Sequence, residues 1–174
     1  MIAYSLRILG IGVAHKLREP LGPYEPIVQR FRAWPWYCDQ NLHINNAQYL
    51  TFMDYGRVAW LVRSGLAQRV FDGAHTALVA SLGITYRREI RWFAPFELET
   101  RALGYEGRWL YVAQTFRQRG KLSARAVLRI GIKGPEGLVD FAQFWGEPSP
   151  PIDGDLRAFI EGADAQFHAT LEEP

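Results

Sequence analysis

Apolar and polar residues alternate along much of the second half of the chain, with the two-residue period of a β-strand. The clearest case is residues 122–133, in which every even-numbered position is apolar and most odd-numbered positions carry Ser, Arg or Lys. Residues 96–105 alternate in the same way, and residues 78–90, 109–119 and 138–145 are also apolar enough for strands. Because only short turns separate these segments, we predict a meander of antiparallel strands.

A helical period governs residues 46–63 in the first half of the chain. One stripe of this helix is formed by Tyr49, Phe52, Met53, Gly56 and Trp60, and a second stripe beside it by Leu50, Val58 and Leu61. A helix that is apolar on so much of its surface is buried on several sides, so we expect a sheet to wrap around it. Gly65 follows the pattern and is expected to end the helix.

The remaining elements are predicted from shorter patterns. Residues 28–37 read as a strand, which Pro35 restricts to a sheet edge or an irregular end. A short helix is expected at residues 67–71, and Gly83 is expected to bend or bulge the strand that contains it. A closing helix is predicted for residues 155–171, and its apolar face would consist of Leu156, Phe159, Ile160, Ala163 and Phe167.

The order of these elements indicates the fold class. One strand, one long buried helix and about five meandering strands do not alternate as a doubly wound parallel sheet requires. We therefore predict an α+β fold, with a curved antiparallel sheet of about five to six strands wrapped around a long central helix, and a C-terminal helix. The expected parts are an N-terminal helix and linker at 1–23, the main domain at 24–148, and the closing helix at 149–174.

Residues 1–19 carry a helical stripe of Ile2, Leu6, Leu9 and Val13. The apolar run is too short, and too interrupted by Arg7, to span a bilayer, and it lacks the features of a secretory signal. We expect a helix that docks on its own protein. A helix lying on a membrane surface is the alternative, and deletion of residues 1–19 would then release the protein from liposomes.

Composition narrows the class further. The 174 residues are 48% hydrophobic and 22% charged, which fits a domain with a proper core. The net charge of +2 gives no strong preference for nucleic acid. Cys38 is the single cysteine, which excludes an intrachain disulfide and suits the cytoplasm.

The polar stretch 39–49 lies immediately before and at the start of the long helix. Asn45 or Asn46 can cap the helix, and the free N–H groups of its first turn can hold an oxyanion. Asp39 lies just upstream and could act as a base or a nucleophile. A capped helix after a polar turn is the simpler explanation of the same residues.

Other chemistry has little support in the sequence. There is no Gly-x-Ser-x-Gly elbow, and Gly10-Ile11-Gly12 lacks the third glycine of a dinucleotide loop. The four histidines are scattered without the spacing of metal ligands. We therefore expect no metal and no redox cofactor. Cys38 is expected to be a small packing residue.

The stretch Asp39-x-Asn41-x-His43-Ile44-Asn45-Asn46-Ala47-x-Tyr49-Leu50, followed by Asp54 and Arg57, resembles the signature of hotdog-fold acyl thioesterases. The similarity is greatest to the thioesterase superfamily member six group, with 4-hydroxybenzoyl-CoA thioesterase-like families as wider relatives. It continues through Gly56-Arg57-Val58-Ala59, the Arg63-Ser64-Gly65 helix end and residues 87–96, and covers about residues 27–146.

The resemblance implies an acyl-thioester hydrolase of the cytoplasm that acts on acyl-CoA or acyl-carrier-protein substrates and needs no cofactor beyond the coenzyme A of its substrate. Asp39 would activate water or attack the carbonyl, and the backbone N–H of Asn46 would donate to the oxyanion. His43 and Asn45 would shape the site. A peripheral contact with a membrane is the alternative location.

Several further residues have two possible roles. Tyr49 and Met53 would lie next to the acyl group or pack beneath it. Asp54 could be the catalytic acid, but its pairing with Arg57 is more typical of a structural ion pair. The run of Arg87, Arg88 and Arg91 could reach a CoA phosphate or could be a solvated strand face.

Hotdog domains pair their sheets edge to edge, so the resemblance also implies a homodimer, with a tetramer as the alternative. The rival function is a hotdog domain that binds acyl chains or partner proteins and hydrolyses little. Asp39 favours the enzyme, because a pure binder has no need of a carboxylate at the start of the helix.

Overall fold

The computed structural model describes the backbone of residues 2–16, 19–152 and 154–171, and the side chains of residues 5–16, 19–152 and 154–162. Its helices are α1 (Ile2–Lys16), α2 (Asn46–Arg63), α3 (Ala67–Val70), α4 (Phe141–Trp145) and α5 (Gly154–Leu171), with a 3-10 turn at Pro35–Tyr37. Its strands are β1 (Ile27–Arg32), β2 (Thr76–Tyr86), β3 (Pro95–Glu106), β4 (Trp109–Gln118), β5 (Lys121–Gly134) and β6 (Gly137–Leu138).

The strands form one antiparallel sheet in the order β1-β3-β4-β5-β2, with the short β6 paired to β5. Helix α2 packs against the inner face of this curved sheet, and its side chains join those of the strands in one main core. The predicted α+β class and the sheet around a long central helix are confirmed. Strands β1 and β2 are the two edges.

The two clearest alternating patterns are confirmed. In β5 the predicted apolar face from Ala124 to Ile132 is buried, while Arg125 and Lys133 are exposed. In β3 the side chains of Phe96, Leu98, Thr100 and Ala102 are buried on the face that meets α2. Alternation predicts these strands well because each has one face against the core.

Helix α2 has the predicted bounds, and all five residues of its first stripe are buried. Gly56 lets the helix approach the sheet closely, because a Cβ there would lie 2.4 Å from Thr100 Oγ1. At this contact the buried Gln114 donates to the carbonyl of Met53 and to Thr100 Oγ1, both at 2.9 Å. A polar network therefore fixes α2 to the middle of the sheet.

The first strand is shorter than predicted. It ends at Arg32, and a 3-10 turn begins at Pro35. Pro35 has no N–H for a ladder and its fixed φ suits the start of a helical turn. The prediction of a strand to residue 37 is wrong by five residues.

The bulge of β2 also lies elsewhere than predicted. The register with β5 shifts between Val79 and Ser81, whereas Gly83 pairs regularly with Val127. Gly83 instead makes room for α5, because a Cβ there would lie 3.0 Å from the ring of Phe159. A glycine in a strand marks either a bulge or a close approach, and here the second explanation applies.

The predicted last strand, residues 138–145, is mostly wrong. Pairing stops at Leu138, and α4 begins after Asp140, whose carboxylate accepts hydrogen bonds from the N–H groups of Ala142 and Gln143. Gly146, with φ of 81°, ends this helix. An N-cap and a C-terminal glycine six residues apart therefore override the strand propensity of the aromatic residues between them.

Helix α1 packs against α2, but not through its predicted stripe. Ile8 and Ile11 join the core, and Arg7 donates to the Tyr37 hydroxyl at 2.8 Å. Leu6 and Leu9 face outward, each 63% exposed, and the side chain of Ile2 lies outside the described residues. No helix in the described part of the chain is long and apolar enough to cross a membrane.

Helix α5 covers the outer face of the sheet, where Leu156, Phe159 and Ile160 pack around the buried Tyr111. The predicted closing helix is present and begins at Gly154. The side chains of Ala163 and Phe167, which complete its predicted apolar face, lie outside the described residues.

Candidate active site

Asp39 lies in a tight turn between the 3-10 turn and α2. Its backbone carbonyl accepts from Leu42 N–H at 3.0 Å, and its N–H donates to the carbonyl of His43 at 3.1 Å. Its carboxylate accepts from Asn41 N–H at 2.9 Å. Leu42 holds the turn with φ of 61°, a conformation that leucine seldom adopts. The Asp39 side chain is 23% exposed, so the turn presents a fixed carboxylate that solvent can reach.

His43 lies beside this carboxylate. Its Nδ1 is 3.8 Å from Asp39 Oδ1 and 3.3 Å from the carbonyl oxygen of Ile44. A carbonyl only accepts hydrogen bonds, so the contact with Ile44 requires the proton on Nδ1. The i, i+4 spacing across the turn places the two predicted site residues side by side.

The start of α2 follows this turn directly. Asn45 caps the helix, because its side-chain oxygen accepts from Ala47 N–H at 2.9 Å. Its own N–H donates to the carbonyl of Tyr37 at 3.0 Å, which ties the cap to the 3-10 turn. In the described part of the chain no group accepts a hydrogen bond from Asn46 N–H. This free donor at the positive end of the helix dipole suits a carbonyl oxygen or an oxyanion.

Tyr49 and Met53 pack beneath the site and do not line it. They are 2% and 0% exposed, and the Tyr49 ring packs edge-on against Tyr86 and Phe116. Burial, and secondarily the neighbouring Tyr86, raises the pKa of Tyr49 to about 12, so its hydroxyl stays protonated. Of the two roles predicted for this pair, the packing role is the one that the burial supports.

Asp54 and Arg57 form the predicted ion pair on α2. Arg57 also donates to Gln114 Oε1 at 3.1 Å, which joins the pair to the buried network under Gly56. Their side chains are 37% and 16% exposed. The arginine is therefore built into the helix–sheet contact, which agrees with a structural role for the pair.

Cys38 precedes the turn and packs as predicted. Its sulfur lies 3.6 Å from the carbonyl oxygen of Trp34 and contacts the main core. Burial, and secondarily the charge of Asp39, raises the pKa of its thiol, which disfavours the nucleophilic thiolate.

The segment after β2 supports the site and was missed by the sequence analysis. Ile44 N–H donates to the carbonyl of Ile90, and Trp92 N–H donates to that of Leu42, both at 2.9 Å. The hydroxyl of Tyr86 donates to the carbonyl of Asn46 at 3.2 Å. No local spacing could reveal these contacts, because their partners are 40 to 50 residues apart in the sequence.

No three His, Cys, Asp or Glu side chains group as metal ligands would within the described ranges. Arg88, Arg91, Arg119 and Lys121 line a cleft of about 410 Å³ beside the segment after β2, and Glu89 is its one acidic side chain. Arg91 pairs with Glu89 at 2.6 Å, so the cleft keeps a net positive charge. Arg88 and Arg91 of the predicted basic run therefore line a concave surface that suits a phosphate or carboxylate, whereas Arg87 does not line it.

The sequence profile of the thioesterase-like superfamily matches residues 33–136, which is more than half of the chain and includes the whole candidate site. The chain belongs to this superfamily. The family predicted from the polar stretch before α2 is thus confirmed.

Two curated relatives and one solved structure illustrate the similarity. Protein THEM6 of Xenopus laevis is 37% identical over 82 residues, which are 47% of this chain and 40% of that protein. Protein THEM6 of Danio rerio is 31% identical over 135 residues, or 75% and 67% of the two chains. The chain thus spans only about two fifths of the length of the frog relative.

The crystal structure of YbaW, a probable thioesterase from Escherichia coli, superimposes with a TM-score of 0.62 at 19% identity. The match covers 78% of this chain and 96% of that one. The likeness confirms the hotdog fold.

Proposed function

We propose that the protein hydrolyses acyl thioesters at the start of α2. The observation that carries the proposal is the pairing of a fixed, accessible carboxylate with an unused backbone donor: Asp39 in its turn and the N–H of Asn46. Membership of the thioesterase-like superfamily supports the same chemistry.

The substrate carbonyl would accept a hydrogen bond from Asn46 N–H, with the α2 dipole adding positive potential. When the carbonyl carbon is attacked, its oxygen gains negative charge and this interaction strengthens. Such a donor accelerates the reaction because it binds the transition state better than the ground state. Loss of one oxyanion donor typically costs about 10²–10³ in rate.

Asp39 would supply the attacking group by one of two routes. As a general base it takes a proton from water, the hydroxide adds to the carbonyl, and the C–S bond breaks to release a thiolate, which then takes the proton. As a nucleophile its carboxylate oxygen adds to the carbonyl carbon, and the C–S bond breaks to release the thiolate and leave a mixed anhydride. Water then hydrolyses the anhydride, which returns the Asp39 carboxylate and releases the free acid, and the proton set free goes to the thiolate. Both routes require an ionised carboxylate, and both fail in Asp39→Asn.

His43 and Asn45 would hold these groups in place. The Nδ1–H of His43 is directed to the Ile44 carbonyl, and Nδ1 lies 3.8 Å from the Asp39 carboxylate, which is too long for a hydrogen bond, so the imidazole acts on Asp39 by packing beside it. Asn45 would fix the first turn of α2, so that Asn46 N–H keeps its direction. Both are positioning residues in this account.

The carrier of the acyl group would be anionic. The basic cleft of Arg88, Arg119 and Lys121 supports either the phosphates of coenzyme A or the acidic surface of an acyl-carrier protein. Adding salt should raise KM more than it lowers kcat, because the cleft acts on binding and shares no lining residue with the Asp39 turn.

Release of free thiol from a panel of acyl-CoA and acyl-carrier-protein substrates tests the proposal. We expect turnover on at least one carrier class, and its complete absence for folded protein across the panel would contradict the hydrolase. Binding without turnover would instead favour the rival, a hotdog domain that binds acyl groups. The partly open cavity beside α2, described below, is the observation that favours this second function.

A further inference from the structure

A cavity of about 220 Å³ lies between the C-terminal half of α2 and the strands β2, β4 and β5. Most of its wall is hydrocarbon, including the side chains of Val58, Leu61, Leu78, Val112, Ile130 and Phe141. Asp54 and Arg57 are the charged residues on the wall, and they pair with each other. None of the residues that form the Asp39 turn lines this cavity.

We propose that this cavity binds the distal part of a long, unsubstituted acyl chain whose thioester lies at the Asn46 end of α2. The inference rests on the proposed thioester hydrolysis and adds to it the class of acyl group.

The size and the lining of the cavity indicate that its ligand is a hydrocarbon chain. Interiors of proteins are close-packed, and voids larger than a water molecule are few. A dry apolar cavity of about 150 Å³ is enough to bind benzene. The cavity beside α2 is larger, at about 220 Å³, and its Val, Leu, Ile and Phe side chains offer water no hydrogen-bond partner. Polar groups reach its wall at Asp54, Arg57 and Trp60. A hydrocarbon chain is the matching occupant.

The position of the cavity along α2 connects it to the Asn46 end of the helix. Asn46, Leu50, Asp54 and Val58 follow one another at four-residue intervals, so they lie along one side of the helix. Leu50 is 43% exposed, which leaves an apolar surface between the Asn46 end and the cavity. The eight residues from Asn46 to Asp54 span about 12 Å, the length of roughly ten carbons of an extended chain.

An acyl group that starts at Asn46 N–H would therefore reach the cavity only when it is long. Chains of about 12 to 16 carbons would place their last methylenes among Val58, Val112 and Ile130. Shorter chains would end beside Leu50 and leave the cavity unfilled. The arrangement predicts a preference that increases with chain length.

The charged residues on the cavity wall determine which terminal group the acyl chain can have. Arg57 pairs with Asp54 and donates a hydrogen bond to Gln114 Oε1 at 3.1 Å, so its positive charge is already compensated within the protein. A carboxylate or ammonium at the end of the acyl chain would be buried without a partner, which is strongly unfavourable. The cavity therefore selects chains that end in a methyl group.

Substitution of the wall tests the proposal through the ratio of kcat/KM for tetradecanoyl-CoA to that for hexanoyl-CoA. Val112→Phe fills the cavity from β4. Val127→Phe is the matched control, because Val127 lies on the neighbouring strand and packs on the outer face with α5. Ala77→Phe, on the edge strand β2, fills the cavity from another side if Val112→Phe fails to fold.

We expect the ratio to fall at least tenfold in Val112→Phe and to change less than about twofold in Val127→Phe. Each buried methylene strengthens binding about fourfold, so exclusion of only two already exceeds tenfold. An unchanged ratio in folded cavity-filling variants would overturn the proposal.

A binding arm separates failure of the inference from failure of the proposed hydrolysis. Straight-chain alcohols from hexanol to dodecanol are added, and the melting temperature is followed without any turnover. We expect stabilisation that grows with chain length in the parent and in Val127→Phe, and that disappears in Val112→Phe. If the alcohols stabilise all three proteins equally, or do not stabilise the parent, the acyl chain does not bind in this cavity and the proposal is contradicted.

Discussion

At the scale of single residues, Gly56 is the point at which α2 and the sheet come closest. A methyl group there would meet Thr100 Oγ1 at 2.4 Å and Gln114 Nε2 at 2.7 Å, inside a hydrogen-bonded network that has little freedom to move. The burial of Gly56 could be predicted from the helical stripe. Its contact with Gln114 could not, because that partner is 58 residues further along the chain.

Gly56→Ala is therefore expected to destabilise the protein by about 1–3 kcal/mol through overpacking. This should lower the melting temperature by several degrees, at about 2–4 °C per kcal/mol for a chain of this size. Gly10→Ala is the matched control, because a Cβ at Gly10 in α1 meets no atom within 4 Å. An equal loss in the two variants, measured by thermal unfolding, would contradict the account of Gly56.

The buried phenol of Tyr49 makes the free energy of unfolding depend on pH in the alkaline range. Its folded pKa, about 12, lies above the usual value of 10, so the folded state holds the proton more tightly. The resulting stabilisation is complete below pH 10 and is lost as the pH rises from 10 to 12, because the phenolate is disfavoured in the core. Two pH units correspond to about 2–3 kcal/mol.

Denaturant unfolding of the parent and of Tyr49→Phe at pH 9 and pH 11.5 measures this effect. We expect the parent to lose more stability between the two values than the variant, which has no phenol to ionise at this position. Identical losses would show that Tyr49 does not contribute to the alkaline transition.

The candidate site was predictable at this scale to the extent that it is local. Asp39, His43, Asn45 and Asn46 lie within eight residues, and a turn followed by a helix cap brings them together. The hydroxyl of Tyr86 and the carbonyl of Ile90 reach the same site from a distant segment. Only the three-dimensional pairing of chain segments reveals such partners.

At the scale of elements, the hydrophobic period of a segment and the cap residues at its ends are two separate signals of secondary structure, and they can disagree. Helix α2 was predicted with its observed bounds because its stripes, its Asn45 cap and Gly65 all agree. Residues 138–145 were predicted wrongly because aromatic content favoured a strand, while Asp140 and Gly146 set the start and end of α4. Short segments are decided by their caps, since they have too few residues for period to be informative.

Asp140→Ala should therefore destabilise the protein by about 1 kcal/mol, since it leaves the N–H groups of Ala142 and Gln143 without their acceptor. Asp140→Asn keeps an acceptor oxygen and should cost only a fraction of this. Thermal unfolding of both variants provides the comparison. If Asn and Ala prove equally costly, the cap hydrogen bonds are not what holds α4.

At the scale of the whole molecule, the sheet has two open edges, β1 and β2. Strand β2 is eleven residues long and exposes Val79 at 44%, a combination that invites pairing with another strand. We expect two copies to pair through β2, which would bring two candidate sites into one assembly. The expectation of a dimer comes from the family resemblance alone. The alternating pattern of apolar residues predicts strands but does not indicate which edge strand pairs with a second copy.

Light scattering at micromolar concentration tests the dimer, and a mass near 19.9 kDa would count against it. Val79→Lys should shift the protein toward the monomer, because a charge on the edge strand opposes pairing. Val28→Lys on β1, where Val28 is 49% exposed, is the control and should leave the mass unchanged. The opposite result would assign the interface to β1.

The central claim is that Asp39, and not Asp54, acts on the thioester. Asp54→Asn breaks an ion pair with the partly buried Arg57 and should lower the melting temperature more than the rate per folded molecule. Asp39→Asn keeps the shape of the side chain and can still accept from Asn41 N–H, so its melting temperature should stay close to that of the parent.

The most direct measurement is the rate of thiol release by folded Asp39→Asn, on a thioester that the parent protein cleaves, with Asp54→Asn assayed alongside. We expect Asp39→Asn to lose at least about 10²-fold in kcat, since general base catalysis alone contributes that much. Full activity of folded Asp39→Asn, or a greater loss per folded molecule in Asp54→Asn, would contradict the assignment of the site to Asp39.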